Sequence, residues 1–157
     1  MPKKPVSRTK VVHYACAALM LVLLVLQFTP YWHYGEAGKA ASSISSYIWF
    51  PTNHTDLTAH LQQLTGNPSF LVNNVLIPCL LMLLLSIAGT VLCILKPGSV
   101  WTSVVTAACG LSGVLGMMFK PALRLGSTWV LMLVLCLVLV TASVYVLLAG
   151  QSENPRA

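Results

Sequence analysis

The stretch Phe70–Leu95, FLVNNVLIPCLLMLLLSIAGTVLCIL, decides the fold. It carries no charged residue from end to end. An apolar, uncharged run of about 18 residues or more is long enough to cross the ~30 Å hydrocarbon layer as a helix. A helix also satisfies its own backbone polar groups, which a spanning segment must do in the absence of water. Two polar features interrupt the run: Asn73-Asn74 near its start and Pro78 soon after. Proline removes an i→i−4 hydrogen bond, so a kink is expected there. Asn73, Asn74 and the carbonyl freed before Pro78 form a polar notch in the outer half of the span.

Working outward, three more runs read the same way: Val11–Phe28, Val100–Phe119 and Thr128–Leu148. A chain of 157 residues that is 57% hydrophobic and only 8% charged has too much apolar surface for a soluble core of this size. No stripe of charge exists to turn such helices toward water. The expectation is an all-α integral membrane protein, a four-helix transmembrane bundle with spans over residues 11–29, 70–95, 100–119 and 128–148. The punctuation agrees. Thr29-Pro30 ends the first span, because the residue before proline leaves the α region. Lys96-Pro97-Gly98 makes one tight turn, and Lys120–Arg124 makes another.

The net charge of +6 follows from topology rather than from nucleic-acid binding. Lys3, Lys4, Arg8 and Lys10 crowd the tail of residues 1–10, which places the N-terminus in the cytoplasm by the positive-inside rule. Four spans return residues 149–157 to the same side. Lys39, Lys120 and Arg124 then lie outside. The first apolar stretch is too long for a cleaved leader and lacks a small-x-small site, so residues 1–26 read as a retained span. The implied location is the plasma or inner membrane, multipass, with both termini cytoplasmic.

Residues 30–69 form the one long segment suited to water. It holds Glu36, Asp56 and three of the four histidines, together with Tyr31, Trp32, Tyr34, Tyr47, Trp49 and Phe50. Tyr31–Gly35 and Ser45–Phe50 have strand-like composition and suggest a short β-hairpin. Asp56–Leu64, with Leu57, Leu61 and Leu64 on one face and Gly66 beyond, suggests an interfacial helix. Trp32, Tyr34, Trp49 and Phe50 are the candidate partner-binding residues, since large aromatics dominate binding hot spots.

The third span differs from the others. Ala108, Ser112 and Gly116 recur at i, i+4 and i+8, Gly113 adds to them, and Thr102, Thr106 and Gly110 make a second row. Small residues let membrane helices approach closely, so this helix is expected to be the packing hub. The fourth span is nearly uniform Leu and Val and reads as lipid-facing. His13 is expected at headgroup level. Gln27 is expected either to reach the interface or to hydrogen-bond a neighbouring helix.

The chemistry is mostly absent. The five cysteines (16, 79, 93, 109 and 136) fall within spans and form no CxxC pair, so a four-helix disulfide oxidoreductase does not fit. No span carries Asp or Glu, which a proton-coupled exporter would need. A single span histidine cannot supply bis-histidine haem ligation. His54, Asp56 and His60 have no diagnostic metal spacing and read as a solvated helix face. No metal and no cofactor is implied. Four spans with a long first outer loop of paired aromatic strands resembles the layout of the claudin and peripheral-myelin proteins. That family's tryptophan–cysteine signature is missing, since Tyr31–Ser69 holds no cysteine. The resemblance implies architecture alone.

The reading that follows is a non-enzymatic accessory or assembly subunit acting through the outer aromatic segment, with the lipid bilayer and a membrane-protein partner or second copy as its contacts. The alternative is a small-solute or lipid carrier using a ligand notch of Asn73, Asn74 and Pro78 with Lys120 and Arg124 above it. An intramembrane enzyme ranks third.

Overall fold

The computed structural model describes residues 7–30, 32–34, 42–44, 59, 62–63, 65–67, 73, 76–118, 124–126 and 128–153. Four helices dominate: α1 Arg8–Leu26, α2 Ile77–Leu95, α3 Val100–Met117 and α4 Trp129–Glu153. All four are long and apolar enough to cross a membrane, α4 through Trp129–Ala149. Each packs on its chain neighbours, and α4 closes against α1 to complete a ring. The protein is a multipass membrane bundle.

What each helix turns inward is not its most hydrophobic face. The buried residues of α1 include Thr9, His13, Cys16, Met20 and Leu23, with Gln27 one step beyond. Those of α2 include Cys79, Met82, Ser86, Gly89 and Cys93. Those of α3 include Thr102, Thr106, Cys109, Gly113 and Gly116. On α4 the series is Met132, Cys136, Leu139, Ser143 and Val146. Every series steps alternately by three and four residues, the 3.5-residue period of a left-handed bundle. Leucine and valine, meanwhile, crowd the exposed faces. Lipid is as apolar as leucine, so nothing drives leucine inward. Close packing and hydrogen bonding decide the inner face, and they select small, sulfur-containing and hydroxyl side chains.

This corrects the expectation for α4. It is not a purely lipid-facing helix, because the seam from Met132 to Val146 is buried. α3 lies between α2 and α4, with 50% of its membrane window buried against 33% for each other helix. A Cβ added at Gly110 would meet Cys136 O at 2.7 Å, and one at Gly113 would collide with Cys136 Sγ. Both glycines are therefore where α4 comes closest.

At one end of the bundle sits a three-stranded antiparallel sheet, order β2-β1-β3, from β1 Trp32–Tyr34, β2 Ser42–Ile44 and β3 Arg124–Leu125. Trp32 pairs with Ile44 on one side and Leu125 on the other. The sheet thus joins the segment after α1 to the connection between α3 and α4. Ser45–Phe50 and most of Asp56–Leu64 lie outside the described residues; Ala59, Gln62, Gln63 and Thr65 are helical.

Most of the stretch before Pro78, where a kink is expected, lies outside the described residues. Asn73 and Leu76 take π-helical geometry, the regular α-helix starts at Ile77, and Pro78 occupies its first turn. A proline costs little there, because first-turn N–H groups have no intrahelical acceptor. At the opposite end, Lys96–Ser99 turns the chain from α2 into α3, with Gly98 at φ +88°, a conformation open chiefly to glycine.

Candidate functional site

The sheet end is built around two indoles. Trp32 is 1% exposed, and its Nε1–H donates to the Gly116 carbonyl at 3.4 Å. Trp129, in the first turn of α4, donates from Nε1 to the Met117 carbonyl at 2.9 Å. These carbonyls belong to the last turn of α3, where no intrahelical donor remains. The rings meet edge to face, centroids 6.0 Å apart, a favoured aromatic geometry. Beside them, Thr128 Oγ1 donates to Pro30 O at 2.9 Å, and the Thr29 hydroxyl lies 2.9 Å from Thr128 Oγ1 and 2.6 Å from Leu26 O. One small cluster therefore ties the end of α1, the end of α3 and the start of α4.

The other end uses an imidazole. The Gly98 backbone N–H donates to His13 Nδ1 at 2.7 Å. Nδ1 is then the acceptor, so the ring proton sits on Nε2 and points to Ser103 Oγ, 2.9 Å away. His13 is buried and neutral in this arrangement, with a partner on each ring nitrogen at the turn end of the bundle. Thr102 Oγ1 donates to the Lys96 carbonyl at 2.9 Å and closes the same turn.

A third polar contact lies within the bundle. Gln27 is fully buried, and its Nε2 donates to Ser86 Oγ at 3.2 Å. Ser86 spends its own proton on Leu83 O, which leaves Gln27 Oε1 without a partner. The interhelical role expected for Gln27 is the one it takes.

Between α2 and α3, on the sheet side, lies a groove of about 690 Å³. Its walls are the exposed side chains of Ile77 and Leu81 on α2 and of Leu111 and Leu115 on α3. Its floor is Ala108 and Ser112, whose small size leaves the trough unfilled. Ser112 Oγ donates to Cys109 O at 2.8 Å, so the floor offers no free donor. Asn73 stands exposed at the mouth, and Pro78 lines the groove beside it.

The structure accordingly brings together Asn73 and Pro78 from the expected notch with Ala108 and Ser112 from the expected packing stripe. Gly116 adjoins them, since a Cβ there would lie 3.3 Å from Pro78 Cβ. Arg124 is elsewhere, in β3, paired with His33. Tyr34 is in β1. Trp49, Phe50, Asn74 and Lys120 lie outside the described residues, as do His54, Asp56 and His60. Among the described residues no charged side chain is buried and no cluster of three metal-ligating side chains occurs.

The functional reading of residues missed His13, Ser103 and Trp129. One signal was available: these residues and the five cysteines are among those that interrupt Leu, Val and Ile within the spans, and His13 and all five cysteines fall on the buried seams. No family model matches this chain, and comparison with curated proteins and with solved structures gives no significant match.

Proposed function

We propose that this protein is a non-enzymatic accessory subunit of the cell membrane, with both termini in the cytoplasm, whose sheet end is an outward-facing recognition platform. The observation that carries the reading is the anchoring of β1. Trp32 is sunk between α3 and α4, and β1 is paired on both edges. A segment fixed in this way has lost most of its conformational entropy before any partner arrives, and preorganisation raises affinity by removing that cost from binding. Trp32 then positions the platform, and contact falls to Tyr34, Trp49 and Phe50. The positive-inside distribution of Lys3, Lys4, Arg8 and Lys10 supports the orientation.

The lack of membrane acids supports a non-catalytic, non-pumping role. A carrier would need polarity across the bundle. The groove at Asn73 and Pro78 ends near the middle of α2 and α3, below which Cys93 Sγ and Thr106 Oγ1 approach to 3.6 Å.

The test is a photocrosslinking amino acid at Tyr34, Trp49 or Phe50, with Val138 on the lipid face of α4 as control. The expected result is one dominant adduct from the platform positions that Val138 does not give. Identical adduct patterns at all four positions would remove the platform reading.

A further inference from the structure

The groove between α2 and α3 has a shape that matches one particular occupant. Along α3 it runs from Ala108 to Met118, which at 1.5 Å per residue is about 15 Å. Along α2 it runs from Ile77 to Leu85, about 12 Å by the same rise. Ala108 and Leu85 lie near the midpoints of their helices. The trough therefore begins at the sheet end and stops near the middle of a ~30 Å hydrocarbon layer. It has the length of one leaflet.

That length separates the possible occupants. A transmembrane helix from a partner crosses the whole layer and is about 10 Å across. It would need a trough continuing past Leu85 and Ala108. Instead the seam closes there: a Cβ on Gly89 would meet Met20 Sδ at 2.6 Å and Val105 Cγ1 at 3.7 Å, and Cys93 touches Thr106. A small polar solute would need donors along the trough, yet Ser112 has turned its hydroxyl onto its own helix. What remains is an apolar trough one leaflet deep with a carboxamide at its mouth, since Asn73 is exposed and lines it. The small side chains of Ala108 and Ser112 set back the floor.

We infer that this groove is a specific binding site for a phospholipid of the leaflet on the sheet side, one acyl chain lying over Ala108 and Ser112 and the ester region within reach of the Asn73 carboxamide. The carboxamide can donate to an ester carbonyl, an acceptor that every diacyl glycerophospholipid carries whatever its headgroup. The site is independent of the recognition platform, because none of its lining residues belongs to the sheet.

The experiment uses the full chain in phosphatidylcholine–phosphatidylglycerol vesicles containing phosphatidylcholine with a diazirine on its acyl chain. After illumination, adducts are located by peptide mass spectrometry. Adducts are expected to concentrate on Ile77–Leu85 and on Ala108–Met118, at least about tenfold above the exposed Leu131 and Leu137 of α4, a preference of about 1.4 kcal/mol. Ser112→Leu fills the floor and should bring the groove down to the α4 level. Ser112 is buried, so Leu115→Trp, at an exposed wall position, provides a second block that leaves the bundle seam untouched. An even distribution around the bundle would overturn the inference, as would full groove labelling in a folded Leu115→Trp variant. Groove labelling below that of Leu131 and Leu137 would overturn it too, by showing that something other than lipid covers the trough.

Discussion

The sheet end and the turn end of the bundle both join α1 to distant helices, and they do so with opposite resources. The sheet end spends a large apolar surface. Two indoles pack edge to face and cap the last carbonyls of α3, and β1 is paired with strands on both sides. The turn end spends almost none. One imidazole bridges the Gly98 amide and the Ser103 hydroxyl, and the neighbouring Thr102 holds Lys96. Packing energy grows with buried area, whereas a hydrogen bond to a neutral group nets about 1 kcal/mol. The sheet end should therefore be the mechanically stronger tie, and the turn end the more easily released one.

The largest effect expected is at Trp32. Trp32→Ala removes a fully buried ring, its contact with Trp129 and the bond to Gly116 O, and large-to-small changes of this kind cost about 3–5 kcal/mol. Thermal unfolding in mild detergent measures it. His13→Ala should cost less, about 1–3 kcal/mol, since the main loss is leaving the Gly98 N–H and Ser103 Oγ without their partner. If the His13 variant were the less stable of the two, the ranking of the two ends would be reversed. Amide exchange sharpens the same comparison: in the His13 variant protection should fall at Gly98 and leave Trp32–Tyr34 unchanged.

Much of this was legible in the sequence, and the parts that were not have identifiable causes. The four spans follow from uncharged length, which hydropathy reports directly. The π geometry at Asn73 and Leu76 was not readable, because no residue pattern distinguishes it from an ordinary helical turn. β3 is two residues long, Arg124–Leu125, too short for alternation to register. Trp32 sits where a membrane-belt tryptophan would sit, and composition cannot say whether such a ring turns to lipid or to the bundle. The inner face of α4 was hidden because searching for its most apolar side has no meaning in lipid. The informative residues were the departures from Leu and Val: Met132, Cys136 and Ser143.

Between the two ends, the glycines probe how rigid the seam is. Gly110→Ala would put its methyl 2.7 Å from Cys136 O, which is backbone and cannot rotate away, so α3 and α4 must separate. Gly89→Ala would put its methyl 2.6 Å from Met20 Sδ, the far part of a flexible side chain. Overpacking costs about 1–3 kcal/mol where the neighbour cannot yield. Gly110→Ala should fall in that range and Gly89→Ala below it, measured by the same unfolding assay. Equal melting temperatures would mean that the α3–α4 contact relaxes as freely as a methionine does.

The smallest effect expected is the one with the most to say about what fills the bundle. Gln27 lies at the end of α1 against Ser86, midway along α2, fully buried and with Oε1 unpartnered. Turning the carboxamide over does not help, because the amide nitrogen would then lose Ser86 and the other end would be orphaned. A buried acceptor without a donor costs about 1–3 kcal/mol, and Gln27→Leu removes it while keeping similar volume. Ser86 loses nothing that matters, since its hydroxyl still donates to Leu83 O. The substitution should change stability by less than about 1 kcal/mol, in either direction, and Gln27→Ala should be clearly worse through the cavity it leaves. A buried water making two or three hydrogen bonds would alter that arithmetic, because Oε1 would then be satisfied in the wild type. In that case Gln27→Leu would lose about as much as Gln27→Ala, and the shortfall would locate a solvent molecule between α1 and α2. A near-neutral Gln27→Leu would instead show that the α1–α2 seam carries a bare carbonyl, whose cost the packing around it offsets.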